Sequence, residues 1–245
     1  MINSFTFNGI SSEELGLYVG GQMTFGAPQR DVTKVSIPGR NGDLVRDNGR
    51  FLNAQVAYNI VAMDDFAETA RRVRNWLNSV VGYARLEDTY DPEHYRMAMV
   101  ASTIDFETSA YNRTGKAQII FDCKPQRFLK LGENEILIDS TGTAEERSLT
   151  NPTNFYSSPL FLLERSLFDG EGTLTVGNQI IVITGDDQYL YIDSETMNCY
   201  NGSANRNSIV RLGANGFPTL PPGDTIIALA GDFSTVAITP RWWEL

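Results

Sequence analysis

Apolar and polar residues alternate along several stretches of the chain, which is the pattern of half-buried β-strands. Near the start, Phe5 and Phe7 alternate with polar residues and run into the turn signal Asn8-Gly9. Farther on, residues 51–63 (FLNAQVAYNIVAM) are rich in β-branched and aromatic side chains and predict a strand of about ten residues. The first half of the chain is therefore predicted to consist mainly of strands.

In one segment the apolar residues recur with the period of a helix instead of alternating. Residues 64–82 (DDFAETARRVRNWLNSVVG) place apolar side chains at steps of four and three, which predicts an amphipathic helix. Asp64 or Asp65 can cap its start, and Gly82 can end it. The predicted apolar face consists of Phe66, Ala70, Val73, Leu77 and Val80. Three arginines lie mostly off that face, at positions 71, 72 and 74; we interpret them as a solvated surface, with a phosphate or an acidic partner as the alternative.

The second half carries eight short apolar segments, each bounded by Gly, Asn, Asp or Pro, and this spacing predicts a β-sandwich or jelly roll. Gly177-Asn178 suits a two-residue hairpin turn, because both residue types tolerate positive φ. The eight segments are NEILIDS (134–140), FLLERSLF (161–168), GTLTVG (172–177), NQIIVITG (178–185), QYLYIDS (188–194), SIVRLG (208–213), DTIIALAG (224–231) and TVAITPRW (235–242).

Charge is distributed unevenly between the two halves. Residues 1–132 hold 15 Lys+Arg and 15 Asp+Glu, whereas residues 133–245 hold 5 and 15, so the net charge of −10 lies entirely in the second half. We therefore expect two domains, with the boundary near Gly132. An acidic surface repels phosphate, which argues against nucleic-acid binding by the second domain. The alternative interpretation is that the acidity simply keeps the protein soluble.

Composition indicates an ordered globular protein, because 42% of the residues are apolar. No apolar run reaches the roughly 20 residues of a membrane span. The N-terminus lacks a basic start followed by an apolar stretch, so we expect no signal peptide and synthesis in a cytosol. In that compartment Cys123 and Cys199 are expected to be buried thiols rather than a disulfide.

No motif for catalysis, nucleotide binding or metal binding stands out. The single histidine, His94, has no serine motif nearby, the cysteines lack CxxC spacing, and no Gly-rich phosphate loop occurs. We expect no enzyme activity and no cofactor, although a carboxylate pair for glycoside hydrolysis stays open. Asp186-Asp187 or Asp193 with Glu195 could form a loose calcium site, but hairpin turns explain both segments better.

Aromatic residues of the second half are candidates for stacking on sugars. Tyr191 and Trp242 are the candidates we single out, with core packing as the favoured alternative. Alternation places Tyr189 and Tyr191 on one face of a strand, so at least one of them is expected in the core. For the adjacent Trp242 and Trp243 we expect one ring inside and one outside.

A stiff loop with a charge at its centre follows a strand-like run in which Val32, Lys34 and Ser36 share one face. Its sequence is Pro38, Gly39, Arg40, Asn41, Gly42 and Asp43. Proline fixes φ, while glycine and asparagine permit left-handed turns. An arginine held at a rigid apex loses little entropy on pairing, so Arg40 suits an ion pair within the fold or a contact with another chain.

The segment SIPGRNGDLVRDNGRF (36–51) resembles the PGRNG segment of the distal tail proteins of long-tailed, non-contractile bacteriophages. The order of further segments agrees over nearly the whole chain. Trp76 lies in the single helix, and after it come ARLEDTYDPEHYRMA (84–98), IIFDCKPQRFLKLG (119–132), NPTNFYSSPLFLLE (151–164), IDSETMNCYNG (192–202), FPTLPPGDTIIAL (217–229) and ITPRWWEL (238–245).

The resemblance implies a mainly β fold with two domains. Residues 1–132 would form a β-barrel or split barrel with one α-helix, and residues 133–245 a galectin-like β-sandwich of the jelly-roll kind. Such proteins form a homo-hexameric ring at the tail tip, assembled in the bacterial cytoplasm and carried in the virion. The ring joins the tail tube protein to the tail-associated tip protein and leaves a channel for DNA, which passes without specific binding.

The outer domain of some family members anchors receptor-binding proteins or binds sugar. Galectins hold galactose with a histidine, arginines and a tryptophan, and residues 133–245 contain no histidine. This departure favours a scaffold role for the second domain. The second hypothesis, a carbohydrate-binding module that recognises host cell-surface glycans, predicts an exposed Tyr191 or Trp242. The loop 38–43 is the predicted contact with a neighbouring subunit or with the tube.

Overall fold

The computed structural model describes residues 3–21, 26–63, 66–109, 114–139, 146–165 and 170–245. The chain divides into two compact units, Met1–Arg127 together with Leu245, and Phe128–Glu244. The boundary predicted from the sequence is near Gly132. The predicted mainly β fold class is confirmed, since strands pair antiparallel in both units. Within the described residues, no helix has the length and apolar character of a membrane span.

The first unit contains one α-helix and most of the long strands. Its elements are β1 (Phe5–Phe7), β2 (Ile10–Ser11), a 3-10 turn (Glu13–Leu15), β3 (Leu17–Gly20), β4 (Arg30–Val35), β5 (Leu44–Phe51), β6 (Ala54–Met63), α1 (Phe66–Ser79), β7 (Ala84–Asp88), β8 (His94–Val100), β9 (Glu107–Ser109) and β10 (Thr114–Leu129).

One curled sheet forms the body of this unit, with the strand order β2-β1-β7-β8-β10-β6-β3 and with β9 also paired to β10. The longest pairing joins β10 to β6, in register from Thr114 opposite Met63 to Cys123 opposite Ala54. A single bridge between Asn3 and Val19 connects the two sides of the sheet. The sheet is therefore an incomplete barrel, in agreement with the predicted split barrel.

Aromatic rings fill the centre of the curled sheet. Phe5 stacks on Tyr58 with ring centroids 4.7 Å apart, and Phe121 packs edge-on against both rings. Helix α1 contributes Trp76, whose Nε1 donates a hydrogen bond to the carbonyl oxygen of Phe7 at 3.3 Å. A buried indole needs such a partner for its N–H. The helix thereby contributes Val73, Trp76 and Leu77 to this core.

The predicted helix is confirmed, although its apolar face differs in detail. Ala70, Val73 and Leu77 are buried as expected, whereas Phe66 and Val80 are only half-buried. The arginines at positions 71, 72 and 74 are exposed, as a solvated face requires. Gly82 follows the helix with a φ of 81°. The expected caps, at positions 64 and 65, lie outside the described residues.

The second unit is a sandwich of two sheets. The strand order is β11-β21-β13-β16-β17-β18 in the six-stranded sheet and β12-β20-β14-β15-β19 in the five-stranded sheet. Its elements are a 3-10 turn (Lys130–Glu133), β11 (Ile136–Asp139), β12 (Glu146–Asn151), β13 (Leu160–Arg165), β14 (Gly172–Val176), β15 (Gln179–Ile183), β16 (Tyr189–Asp193), β17 (Asn198–Asn201), β18 (Ala204–Asn205), a 3-10 turn (Asn207–Ile209), β19 (Val210–Arg211), β20 (Gly223–Ala230), β21 (Phe233–Thr239) and β22 (Trp243–Glu244).

The core of the sandwich lies between the inner faces of both sheets. Phe161 and Ile192 come from the six-stranded sheet, and Leu174 and Ile227 from the five-stranded sheet, and all four are fully buried. Each of the eight predicted segments contains a strand, and the hairpin turn at Gly177-Asn178 is confirmed by the pairing of the residues on either side of it.

The expectation for the tyrosines of β16 is wrong. Tyr189 is 40% exposed and Tyr191 is half-buried, while the residues between and after them, Leu190 and Ile192, face the core. The core-facing positions of this strand are those of Leu190 and Ile192. Leucine and isoleucine have no hydroxyl that burial would leave without a hydrogen-bond partner. Trp242 is inside, as expected, whereas Trp243 is half-buried rather than outside.

We expect Phe121→Ala to lower the free energy of unfolding of the first unit by about 3–5 kcal/mol, because the change leaves a cavity in the aromatic cluster. Urea denaturation followed by tryptophan fluorescence measures this. Val81→Ala is the matched control in the same unit: Val81 is 96% exposed, so the change is expected to stay within about 0.5 kcal/mol. Equal effects of the two substitutions would contradict the proposed packing.

We expect both cysteines to resist thiol reagents until the chain unfolds. Burial raises the pKa of the Cys123 thiol to about 12 and that of Cys199 to about 11, so almost no reactive thiolate exists near neutral pH. Titration with a chromogenic disulfide is expected to count no fast-reacting thiol in the native protein and two in urea. Rapid reaction of either cysteine in the native protein would contradict its burial.

Candidate subunit-interaction hairpin

Strands β4 and β5 form a two-stranded sheet that is separate from the curled sheet of the same unit. They pair antiparallel from Val35 opposite Leu44 to Arg30 opposite Phe51, with one irregularity in register between Arg30 and Val32. An isolated two-stranded hairpin is marginally stable at best in water, because it has no core to cover. The β4–β5 hairpin therefore lacks the burial that stabilises the other long strands.

The hairpin carries apolar side chains toward its tip that stay about half exposed. Val35 is 46% exposed, Leu44 47% and Val45 56%. Val35 and Leu44 are cross-strand partners and share one face, whereas Val45 lies opposite Lys34 and belongs to the other face. These side chains make the tip a candidate interaction surface, since exposed apolar patches are typical of such surfaces.

Polar side chains link the two strands at the base of the hairpin. The Asp31 carboxylate accepts hydrogen bonds from Asn48 Nδ2 at 3.0 Å and from Arg50 Nε at 2.7 Å, and these bonds hold its pKa below the ordinary value. The Asp47 carboxylate accepts one from the backbone N–H of Gly49 at 2.9 Å and forms an ion pair with Arg30, which likewise lower its pKa. These contacts stabilise the observed register.

The loop at the tip has the stiffness that its sequence predicts. Gly39 and Gly42 have φ values of 81° and 82°, where a side chain would be strained. The backbone N–H of Arg40 donates to the carbonyl oxygen of Ile37 at 3.1 Å. All residues from Pro38 to Asp43 are exposed, and the Arg40 side chain makes no ion pair with any described residue. The predicted contact of Arg40 with another chain stays a prediction.

The apolar tip is the part of this surface that the sequence analysis missed. Val35, Ile37 and Leu44 flank the loop in the sequence, and Ile37 is 37% exposed. Strand alternation does not tell whether the apolar side chains of a strand face a core. One signal in the sequence could have indicated this exposure. Val35, Leu44 and Val45 lie on both faces of one short hairpin, and a single core can cover only one of these faces.

The two sugar-stacking candidates occupy different environments. Trp242 is 3% exposed and lies in the sandwich core, so the prediction that its ring offers a face to a sugar is wrong. Tyr191 stacks on Tyr200, with ring centroids 5.0 Å apart and planes 8° from parallel. Sugar binding by Tyr191 stays a prediction.

The carboxylates considered for calcium are engaged by arginines. Asp187 accepts hydrogen bonds from Arg206 at 2.6 and 3.1 Å, which hold its pKa below the ordinary value. Asp193 pairs with Arg241 at 2.6 Å and accepts the backbone N–H of Glu195 at 3.0 Å within a tight turn. These contacts fit the turn interpretation of both segments. In the described part of the chain, no three potential ligand side chains cluster for a metal.

Comparisons with known proteins identify the fold. The structure of SPP1 Dit matches this chain with a TM-score of 0.76 at 11% sequence identity, over 100% of both chains. The chain has the Dit fold. SPP1 Dit is described as a paradigm of the hub adsorption apparatus in phages that infect Gram-positive bacteria.

Two baseplate structures of phage P2, both in the activated conformation, also match. One was determined with calcium and one with strontium, and each has a TM-score of 0.54 at 10% identity. The matches cover 97% of this chain, and 97% and 98% of the respective baseplate chains. No protein-family model matches the sequence, and no curated protein matches it.

We expect acid to disorder the β4–β5 hairpin before it affects the hairpin of β14 and β15. Folding lowers the pKa values of Asp31 and Asp47. Their contribution to the stability of the hairpin is therefore fully present above about pH 3.8, the unfolded pKa, and it is lost as the pH falls through the lower folded pKa values. Backbone chemical shifts recorded through an acid titration measure both hairpins. Loss of both at the same pH would contradict a hairpin held by these carboxylates.

Proposed function

We propose that the chain is the distal tail hub of a long-tailed, non-contractile phage or prophage, and that six copies close into a ring. The exposed β4–β5 hairpin carries the proposal, in a chain whose whole length matches SPP1 Dit. A hairpin that a monomer leaves uncovered gains its burial when it docks on a neighbour. The role is structural, which agrees with the hub and baseplate proteins that share the fold.

The mechanism of such a hub is geometric. Each hairpin adds apolar contact area and two strand edges to the subunit boundary, and a strand edge can pair with backbone of another chain. The loop residues Pro38 to Asp43 present Arg40 at a fixed position, where a carboxylate of the next subunit or of the tail tube can pair with it. Repetition of one contact by rotation closes a ring.

The closed ring would serve as an adaptor in the virion. One face would receive the tail tube protein, and the other the tail-associated tip protein, after assembly in the bacterial cytoplasm. DNA would pass through the central channel without base-specific contacts. The sandwich unit would provide a scaffold, including an attachment point for a receptor-binding protein.

We expect Arg40→Glu to weaken self-association about tenfold or more, since a reversed charge at an interface faces repulsion where a pair had formed. Light scattering coupled to size-exclusion chromatography measures the mass, and negative-stain images show whether rings are present. The wild-type chain is expected to have the mass of six subunits.

Arg72→Glu is the matched control, because Arg72 is an exposed arginine of helix α1 in the same unit. It reverses the same charge away from the hairpin and is expected to leave the mass unchanged. An unaltered mass for Arg40→Glu would refute the contact, and a wild-type chain that stays monomeric over a wide concentration range would refute a ring that closes by itself.

A further inference from the structure

Asparagine is followed by glycine at five places in the sequence, and all five pairs lie within the described residues. Asparagine is among the thermolabile residues of proteins. A following glycine increases this lability, because it has no Cβ to hinder attack by its own backbone nitrogen on the asparagine side chain. The five pairs are Asn8-Gly9, Asn41-Gly42, Asn48-Gly49, Asn201-Gly202 and Asn215-Gly216.

The reaction in question is deamidation, which needs only water. The glycine backbone nitrogen loses its proton and attacks the Cγ atom of the asparagine side chain. A new N–Cγ bond closes a five-membered imide ring, while the Cγ–Nδ2 bond breaks and the leaving nitrogen takes up a proton as ammonia. Water then opens the ring at one of its two carbonyl carbons. Attack at Cγ gives aspartate, and attack at the main-chain carbon gives isoaspartate, whose backbone is one carbon longer.

In the pair Asn48-Gly49 of strand β5, hydrogen bonds engage both reacting groups. Asn48 Nδ2 donates to Asp31 Oδ1 at 3.0 Å and to Thr33 Oγ1 at 3.2 Å. The backbone N–H of Gly49, which would have to attack, donates to Asp47 Oδ1 at 2.9 Å. Deamidation of Asn48 therefore requires that these bonds open first.

One reacting group is engaged in each of the two pairs of the sandwich unit. Asn201 Nδ2, the nitrogen that would leave, donates to Asp187 Oδ1 at 3.0 Å. The backbone N–H of Gly216, which would attack Asn215, donates to the carbonyl oxygen of Gly213 at 3.1 Å. Both pairs are thus restrained by the fold around them.

The pair Asn8-Gly9 is restrained by its backbone. The two residues form the turn between β1 and β2, since Phe7 pairs with Ile10 on either side of them. Their φ values of 51° and 80° are left-handed, as in a tight hairpin turn of type I′. The N–H of Asn8 also donates to the carbonyl oxygen of Arg85 at 2.9 Å. The chain would have to leave this turn to bring the glycine nitrogen onto Cγ.

The pair Asn41-Gly42 at the tip of the β4–β5 hairpin has none of these restraints. Both residues are exposed, and neither the Asn41 side chain nor the Gly42 N–H forms a hydrogen bond with any described residue. The bond that stiffens the loop, from the N–H of Arg40 to the carbonyl oxygen of Ile37, lies before the pair and engages neither reacting group. Exposed loop tips are the segments of a fold that accept chemical change most readily.

We propose that Asn41 is a site of spontaneous deamidation, converted selectively among the five pairs. Conversion places a new negative charge beside Arg40, and isoaspartate in addition lengthens the loop backbone. The consequence for assembly rests on the proposed hub. There the new carboxylate competes for Arg40 and repels the acidic group of the next chain, so subunits that convert before assembly are expected to associate more weakly.

The test is incubation of the full-length protein at low concentration and mildly alkaline pH, followed by tryptic peptide mapping with mass spectrometry. Trypsin cleaves after Arg40 and Arg46, so Asn41 and Asn48 fall on separate peptides. Deamidation is detected as the mass gain of a peptide in which an amide has become a carboxyl group. Asn41 is expected to convert about tenfold faster than Asn48, because the hydrogen bonds of Asn48 must open first.

Two variants test the physical reason for this selectivity. Asn41→Gln is expected to abolish conversion at this position, because the imide would need a less readily formed six-membered ring. Asp31→Ala combined with Asp47→Ala removes the acceptors that restrain Asn48 and Gly49, and is expected to raise the rate at Asn48 toward that at Asn41. Equal rates at Asn41 and Asn48 in the wild-type chain, or an unchanged rate at Asn48 in the double variant, would overturn the proposal.

Light scattering tests the consequence for assembly separately. Converted wild-type protein is expected to associate more weakly than fresh protein, whereas Asn41→Gln incubated in the same way is expected to keep its mass. Equal masses of converted and fresh wild-type protein would refute the effect on association. A fresh chain that never associates would refute the proposed hub, and selective conversion of Asn41 in that chain would still support the modification site.

Discussion

Each strand of an antiparallel sheet can turn only alternate side chains toward a core, and both units are organised by this constraint. In the first unit β6 and β10 cross the barrel with Tyr58 and Phe121 facing inward. In the second, Phe161 and Leu174 meet between two sheets. In the first unit, helix α1 adds side chains to the core that these alternating faces line, and the Asn3–Val19 bridge links the two edges of the sheet.

The β4–β5 hairpin is the part of the first unit that does not satisfy this constraint within one chain. Its strands have six and eight residues, comparable with β7 and β8 of the curled sheet, yet both of its faces are open to solvent. Cross-strand contacts of Asp31 and Asp47 order it within one chain. In the proposed ring, association would then have less chain to order, and more of the apolar burial at the tip would be available as binding free energy.

Much of the fold is predictable from sequence because its signals are local. Period changes mark α1, and β-branched runs mark β6 and the eight strands of the sandwich. The isolation of the hairpin is not local, since Val35 looks the same in a core strand and in an exposed one. The buried position of Trp242 depends on Gly132, where a Cβ atom would come within 2.4 Å of the Trp242 backbone nitrogen.

A surface cleft of the sandwich unit depends even more on tertiary structure. Tyr156, Asn178 and Asn215 belong to three separate loops, and only the pairing of strands brings them to one place. The hairpin loop, in contrast, could be found from six consecutive residues, because Pro, Gly and Asn carry their conformational preferences wherever they occur. The sequence could thus predict a stiff charged loop, but not the apolar surface beside it.

The contacts that hold the hairpin in register are surface ion pairs, and their surroundings have a consequence. Arg50 is 72% exposed and Arg30 53%, so dissolved ions screen their attraction to Asp31 and Asp47. Ionic strength is therefore expected to loosen this hairpin more than the strands that apolar burial holds in place, so the order of an element without a core of its own depends on the salt around it.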